Sequence, residues 1–350
     1  MNELGDAFTV GNCALNTGRF HLYVRILPGD IPTRDLSHRN NVHMTSVSHR
    51  DRLRGGLLGL LVGDALGVPY EFHGATSIPS PADIEMTPPP GFLRSHQGVP
   101  PGTWSDDGAQ ALALLDALLR NRELDLGIFA TNLLDWFHRG AFTPDGNVFD
   151  IGLQTREALH ALEAGADPAV AGPNGERDNG NGSLMRCFPV VMVTASRDDA
   201  IRLARKQSLV THGHLRSQLC CALYCLTAMG ILEGQSAPDA VRAAENELLK
   251  HHAGTTEEIE LKIVLDGRFD APQGSGYAVD SFWSAIHCLL STRSYEDCVK
   301  RAVSLGNDTD TTAAIADGLA GVLYGEGAIP ARWLAALRER TIVEHWLVNF

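Results

Sequence analysis

Four glycines recur at positions 55, 59, 63 and 67 in an apolar run that begins near Arg50. A four-residue spacing lines them along one face of a helix. Each glycine costs a helix interior about 1 kcal/mol relative to alanine. Such a stripe is expected only where a second backbone must approach closely. The chain is therefore predicted to be built around a tight helix–helix contact. Further helix-period patterns cover 109–121, 125–138, 153–164, 198–208, 215–232, 237–250, 279–291, 295–305, 312–324 and 330–340. Strand signals in this region are few, so the reading is an all-α domain.

Two acidic clusters sit about 200 residues apart, each opening an apolar run. One is Ser105-Asp106-Asp107 before Ala109–Leu119; the other is Asp308-Thr309-Asp310-Thr311 before Ala313–Leu323. Helix capping accounts for one oxygen-bearing side chain at each start, and acids there also suit the helix dipole. It does not account for three or four. Carboxylates and hydroxyls this dense repel one another unless a cation sits among them, and hard divalent ions take such ligands. If the fold brings the clusters together, they make a two-metal site.

Asp308-x-Asp310-x-Thr312 also fits other patterns. An EF-hand loop needs Gly and Glu where Ala313 and Leu319 stand, so that reading fails. The D-x-D-x-T of haloacid-dehalogenase phosphatases follows a hydrophobic strand. Here Gly306-Asn307 precede it, which leaves a metal-dependent phosphatase as a weaker alternative. No Gly-Lys-Ser/Thr phosphate loop is present.

Composition bounds the rest. With 350 residues and 44% hydrophobic content, the chain can bury a sizeable core. Its 42 acids against 29 bases give a formal charge of −13, which argues against a partner held by general attraction to nucleic acid or an anionic membrane. Seven cysteines without a C-x-x-C pair read as free thiols in a reducing compartment. Neither a signal peptide nor a membrane span is evident, so the expected location is cytoplasmic.

Residues 1–48 differ from the body (49–350). Phe20–Leu27 (FHLYVRIL) reads as a strand bounded by Pro28-Gly29-Asp30 and Ile31-Pro32, so a non-helical extension is expected. Two long loops also stand out. Residues 76–102 hold seven of the 17 prolines, and 171–183 (AGPNGERDNGNGS) are rich in Gly and Asn. Loops of this length are commonly functional. Asn179-Gly180-Asn181-Gly182-Ser183 offers backbone N–H groups suited to an anion, although a plain Asn-Gly turn explains it equally. Glu71 follows a Pro-bounded turn, Asp150 precedes a helix pattern, and Thr211-His212-Gly213-His214 is a weak metal pair whose His212 suits a phosphate contact better.

Taken in order, GGLLGLLVGDALGVPYE, GTWSDDGAQALAL, FDIGLQTREAL, NGNGSLMRCFPV, THGH and SLGNDTDTTAAIADGLAGVLYG resemble the ADP-ribosylglycohydrolase family, of the dinitrogenase reductase-activating glycohydrolase type. The resemblance spans about residues 50–335. It implies an all-α enzyme, a compact orthogonal helical bundle around a dinuclear metal cleft, with two Mg²⁺ (or Mn²⁺) ions, that hydrolyses the glycosidic bond between ADP-ribose and a protein side chain, arginine being favoured. By position it implies metal ligands Ser105, Asp106, Asp107, Asp308, Asp310 and Thr311, with Asp310 bridging. Ser105 stands where the family usually has Thr.

The resemblance further implies that Glu71, Asp150 or a ligand carboxylate such as Asp107 acts in catalysis. Gly180, Asn181, Gly182 and Ser183 would cradle the ADP-ribose and His212 would contact it. Asn179 replaces an aromatic found in some relatives, so adenine stacking must come from elsewhere. The layout also resembles immunity proteins, in which an N-terminal arm blocks an ADP-ribosyltransferase toxin. The implied partners are an ADP-ribosylated protein and such a toxin, bound by residues 1–48. A non-catalytic inhibitory immunity protein is the alternative of a different class.

Overall fold

The computed structural model describes residues 47–348 and 350. The expected N-terminal extension, with its FHLYVRIL strand, lies outside them except for Val47 and Ser48. Among the described residues there are fourteen α-helices and no strand. They are α1 (His49–Gly67), α2 (Asp106–Arg120), α3 (Leu126–Arg139), α4 (Leu153–Glu163), α5 (Phe188–Val193), α6 (Arg197–Ser208) and α7 (Leu215–Leu232). The second half holds α8 (Ala237–His252), α9 (Glu258–Asp266), α10 (Ala278–Ser291), α11 (Tyr295–Val303), α12 (Thr309–Tyr324), α13 (Ala331–Ala336) and α14 (Arg340–Leu347).

The glycine stripe of α1 meets α12. A Cβ built on Gly55 would lie 2.4 Å from the Gly321 carbonyl oxygen, and one on Gly59 2.3 Å from that of Asp317. At Gly63 the distance is 2.6 Å to the Ala313 carbonyl oxygen, and at Gly67 it is 2.4 Å to Asp310 Cα. As α1 advances, its partners on α12 recede from 321 to 310, so the two helices run antiparallel at backbone contact. Any side chain larger than hydrogen would push them apart. The seam ends where Thr309 Oγ1 donates to the Gly67 carbonyl at 2.8 Å. It thereby delivers the start of α12 to the end of α1, a few residues before Glu71.

Around this pair, α6, α7 and α8 pack in sequence, as do α10, α11 and α12, while α2 packs on α3. One continuous apolar core joins them, including Trp104, Trp136, Phe188, Phe282 and Trp333. Helix α7 is long and apolar enough to cross a membrane by composition, yet 83% of it is buried inside the protein, as in a core helix. The six described cysteines are free and buried.

Two predicted boundaries shift in an informative way. Helices α2 and α12 begin at Asp106 and Thr309, not at 109 and 312, so acids lie in the first helical turn. The run 330–340 is two helices, broken where Glu339 adopts φ +47°.

Candidate active site

Asp64, in the last turn of α1, fixes the first acidic cluster. Its carboxylate accepts the Ser105 N–H (2.9 Å) and the Gly108 N–H (2.8 Å), so one helix caps the next. Ser105 Oγ accepts a longer bond from the Asp107 N–H at 3.4 Å. Capping at α2 is thus met by Asp64 and Ser105, and neither Asp106 nor Asp107 is needed for it. At α12 the preceding residue Asp308 makes no side-chain cap at all. Its Oδ2 instead accepts the Asn181 amide at 2.8 Å.

The two clusters meet. Thr311 Oγ1 donates to Asp107 Oδ2 at 3.3 Å, although 204 residues separate them. Carboxylate oxygens of Glu71, Asp308 and Asp310 lie within 4.8 Å of one another. Asp106, Asp107 and Asp310 are buried, at 5%, 1% and 0% exposure. Asp107 Oδ1 and Asp310 Oδ2 have no hydrogen-bond partner. Asp106 Oδ2 accepts from Gln110 (3.1 Å), which in turn accepts from the buried Arg186 (2.6 Å). Orphaned, oxygen-only donors crowded together are what a hard divalent cation takes as ligands. Asp106, Asp107, Asp308, Asp310 and the Thr311 hydroxyl would hold it. Ser105 is buried with its hydroxyl turned to the helix start and Asp107.

Burial, followed by mutual repulsion, pushes Asp106, Asp107 and Asp310 well above the usual carboxylate range. Burial also raises Glu71 to about 10, with Asp150 the first of the charges adding to it. Asp64 is raised by burial to about 7 despite its N–H partners, and Asp150 by burial and Asp308 to about 6. Without counter-charge this cluster holds protons; a divalent cation would displace them.

The clusters open on a cleft of about 600 Å³. Glu71, Asp106, Asp150, Asp308 and Thr311 line one part of it, and Gly180, Asn181, Gly182 and His212 another. The glycines matter here: a Cβ on Gly182 would meet the His212 ring at 2.6 Å, and one on Gly180 would lie 2.5 Å from Gln154 Oε1. The loop is held by Gly180 N–H donating to Gln154 (2.8 Å) and Asn181 N–H donating to the Gly276 carbonyl (3.1 Å). His212 is lowered by burial to about 3 and so is neutral, with Nδ1 hydrogen-bonded to Thr211 Oγ1 at 2.8 Å. Ser183 is the expected loop residue that does not reach the cleft. Its hydroxyl bonds Ser208 at 2.7 Å in the core.

Sequence reasoning passed over His96. It lies in the proline-rich loop, and its Nε2 bonds Glu71 Oε2 at 2.8 Å. The loop is pinned by Ser95, whose N–H donates to the Pro69 carbonyl at 3.0 Å and whose hydroxyl donates to the Glu71 carbonyl. Glu71, His96 and Asp150 form a second group whose ligand atoms lie within 4.8 Å. Phe72, Gln154, Glu157, Arg177 and Asp178 were likewise unmarked and line the cleft. D-x-D-x-T here opens a helix with no preceding strand among the described residues, unlike the phosphatase arrangement.

Comparison with known proteins gives the family of the chain. The family model for ADP-ribosylglycohydrolase matches residues 45–349. The ADP-ribosyl-[dinitrogen reductase] glycohydrolase of Rhodospirillum rubrum is 31% identical over 300 residues, covering 84% of this chain and 92% of that protein. The ADP-ribosylarginine hydrolase Tri1 of Pseudomonas putida (strain GB-1) is 29% identical over 305 residues, covering 81% and 73%. A solved structure described as an ADP-ribosylglycohydrolase-related protein complex superposes with a TM-score of 0.70 at 33% identity, over 86% of this chain and 96% of that one.

Proposed function

Because the chain belongs to the ADP-ribosylglycohydrolase family, we propose that it hydrolyses the bond joining ADP-ribose to a modified protein side chain, arginine favoured. The observation that carries the reading is the contact between Thr311 and Asp107, which makes one site of two distant acidic clusters. Asp106, Asp107, Asp308, Asp310 and Thr311 would hold two divalent cations, Mg²⁺ or Mn²⁺, with Ser105 supporting Asp107. When bound, such ions supply positive charge that orients ribose hydroxyls and makes a water more acidic.

The chain's own residues supply the rest. Cleavage at the ribose C1″ passes through an oxocarbenium-like state, which needs a proton taken from water and one given to the leaving group. Asp150 and Glu71 stand in the cleft beside the acid cluster and are the candidates for moving those protons. Asn181 braces Asp308, and the Gly180–Gly182 backbone with neutral His212 offers the diphosphate a wall free of negative charge. This division explains how a chain of charge −13 can accept an anionic substrate. Free buried thiols suit a cytoplasmic setting.

The test is ADP-ribose release from arginine- and serine-linked ADP-ribosyl peptides, with Mg²⁺ or with EDTA. Release from the arginine peptide, abolished by EDTA and restored by Mg²⁺, is expected. EDTA-insensitive release, or none from either peptide, would overturn the reading. The proposal that residues 1–48 engage a toxin is tested separately, by deleting 1–44 and measuring toxin binding beside hydrolysis. Unchanged toxin binding would end it.

A further inference from the structure

Phe72, next to Glu71, combines two costs. Its backbone has φ +61°, a left-handed conformation that bulky residues avoid, and its ring is 70% exposed. Burial does not repay the strain. The conformation is instead held by a clamp. Phe72 N–H donates to the Asn307 carbonyl (2.7 Å), and Asn307 N–H donates to the His73 carbonyl (2.6 Å). Asn307 (φ +62°), His96 (φ +49°) and Asp150 (φ +51°) share the left-handed conformation, so strain gathers at this corner of the cleft.

The rings make a wall. Phe72 lies 5.7 Å from His96, and His96 lies 5.2 Å from Phe149, centroid to centroid. Leu153 adds an apolar lip that is 83% exposed. Charge in the cleft is uneven. Among the described residues lining it, Arg177 is the one lysine or arginine, beside Asp178 and close in sequence to the Gly180 loop, while Glu71 and Asp150 bring carboxyls next to His96 and Phe72.

Resting on the reading above, we propose that Phe72 sets specificity by stacking on the guanidinium of the ADP-ribosylated arginine. The reacting ribose carbon must sit by the acid cluster and Glu71, so the group leaving it emerges past Phe72. A guanidinium is a planar, weakly hydrated cation that stacks on aromatic faces. A serine hydroxyl offers neither plane nor charge to this wall.

The experiment uses the full chain with saturating Mg²⁺. Phe72→Asn keeps a residue that tolerates φ +61° but removes the ring, and Phe72→Trp keeps an aromatic face. For an ADP-ribosylarginine peptide, Phe72→Asn is expected to raise KM about tenfold, as a cation–π contact of this kind implies, and Phe72→Trp to restore it. The inhibition constant of free ADP-ribose, which has no guanidinium, stays unchanged in both and reports an intact fold. An unchanged KM in Phe72→Asn overturns the proposal. So does an equal loss of ADP-ribose affinity, which would assign Phe72 to the ADP-ribose itself. Failure of the unaltered chain to cleave the peptide at all would retire the reading of the cleft, a result distinct from either.

Discussion

Helix α12 carries two fully buried carboxyls, Asp310 and Asp317, two turns apart and in opposite settings. Asp310 stands at the helix start among Asp106, Asp107, Asp308 and Glu71, with Oδ2 unpartnered. Asp317 stands within the glycine seam, and neither of its oxygens has an oxygen or nitrogen partner. A Cβ on Gly63 would lie only 2.5 Å from its Oδ2, so the gap left by a glycine is what admits it. Burial raises both far above the usual range, but only Asp310 is raised further by neighbouring acids. A solitary buried carboxyl meets its cost by keeping a proton. A crowd of them at a cleft is better neutralised by cations, and the same chemistry becomes a site.

The comparison breaks most sharply on substitution. Asp310→Ala is expected to lower hydrolysis by at least about 100-fold and to abolish divalent-ion binding in calorimetry. Asp317→Ala should leave ion binding unchanged; equal effects from the two would erase the distinction.

Acidity sharpens it next. Glu71, Asp64 and Asp150 titrate higher in the folded state than their ordinary values near 4. They therefore favour folding at low pH, and that advantage is lost as pH rises through the folded values. In EDTA the melting temperature should fall from about pH 4 upward, through about 6 for Asp150 and 7 for Asp64, and on toward about 10 for Glu71. Each group contributes about 1.4 kcal/mol per pH unit over its window. Saturating Mg²⁺ should flatten the decline, since ions replace the protons. A melting temperature that rises with pH in EDTA would contradict this.

The seam itself is tested by Gly321→Ala, whose Cβ would sit 1.9 Å from the Gly55 carbonyl oxygen. A loss of about 2–4 kcal/mol in denaturant unfolding is expected. The smallest effect belongs to Asp317→Ala, which removes a buried carboxyl paired with a weak thiol donor, Cys298, and should stabilise by about 1–3 kcal/mol. Because Asp317 is raised in the folded state, the gain should grow as pH rises.

Much of this was legible because it rests on repetition and density. The glycine spacing announced a close backbone approach along α1, though not that α12 makes it, and three or four oxygen-bearing side chains at one helix start exceeded any capping need. The short or unpatterned helices were not legible. Phe188–Val193 is a six-residue, wholly apolar turn and a half, too short to display a period. Glu258–Asp266 and Arg340–Leu347 are scarcely longer. His96 gave no signal, since a lone histidine in a proline-rich loop acquires meaning only when Ser95 ties that loop to residues 69–71. The exposed ring of Phe72 depends on a left-handed backbone set by Asn307, 235 positions away, which no local pattern encodes. Ser183, grouped by adjacency with Gly180–Gly182, faces the core because the chain turns there.

The most direct test is a count of ions: a Mn²⁺ titration of the EDTA-stripped chain and of Asp310→Ala, followed by electron paramagnetic resonance. The unaltered chain should bind two Mn²⁺ with the broadened signal of a coupled pair, and the variant should retain none tightly. An isolated-ion spectrum in the unaltered chain, or the same two ions in Asp310→Ala, would contradict the claim that the clusters near 106 and 310 form one cation site.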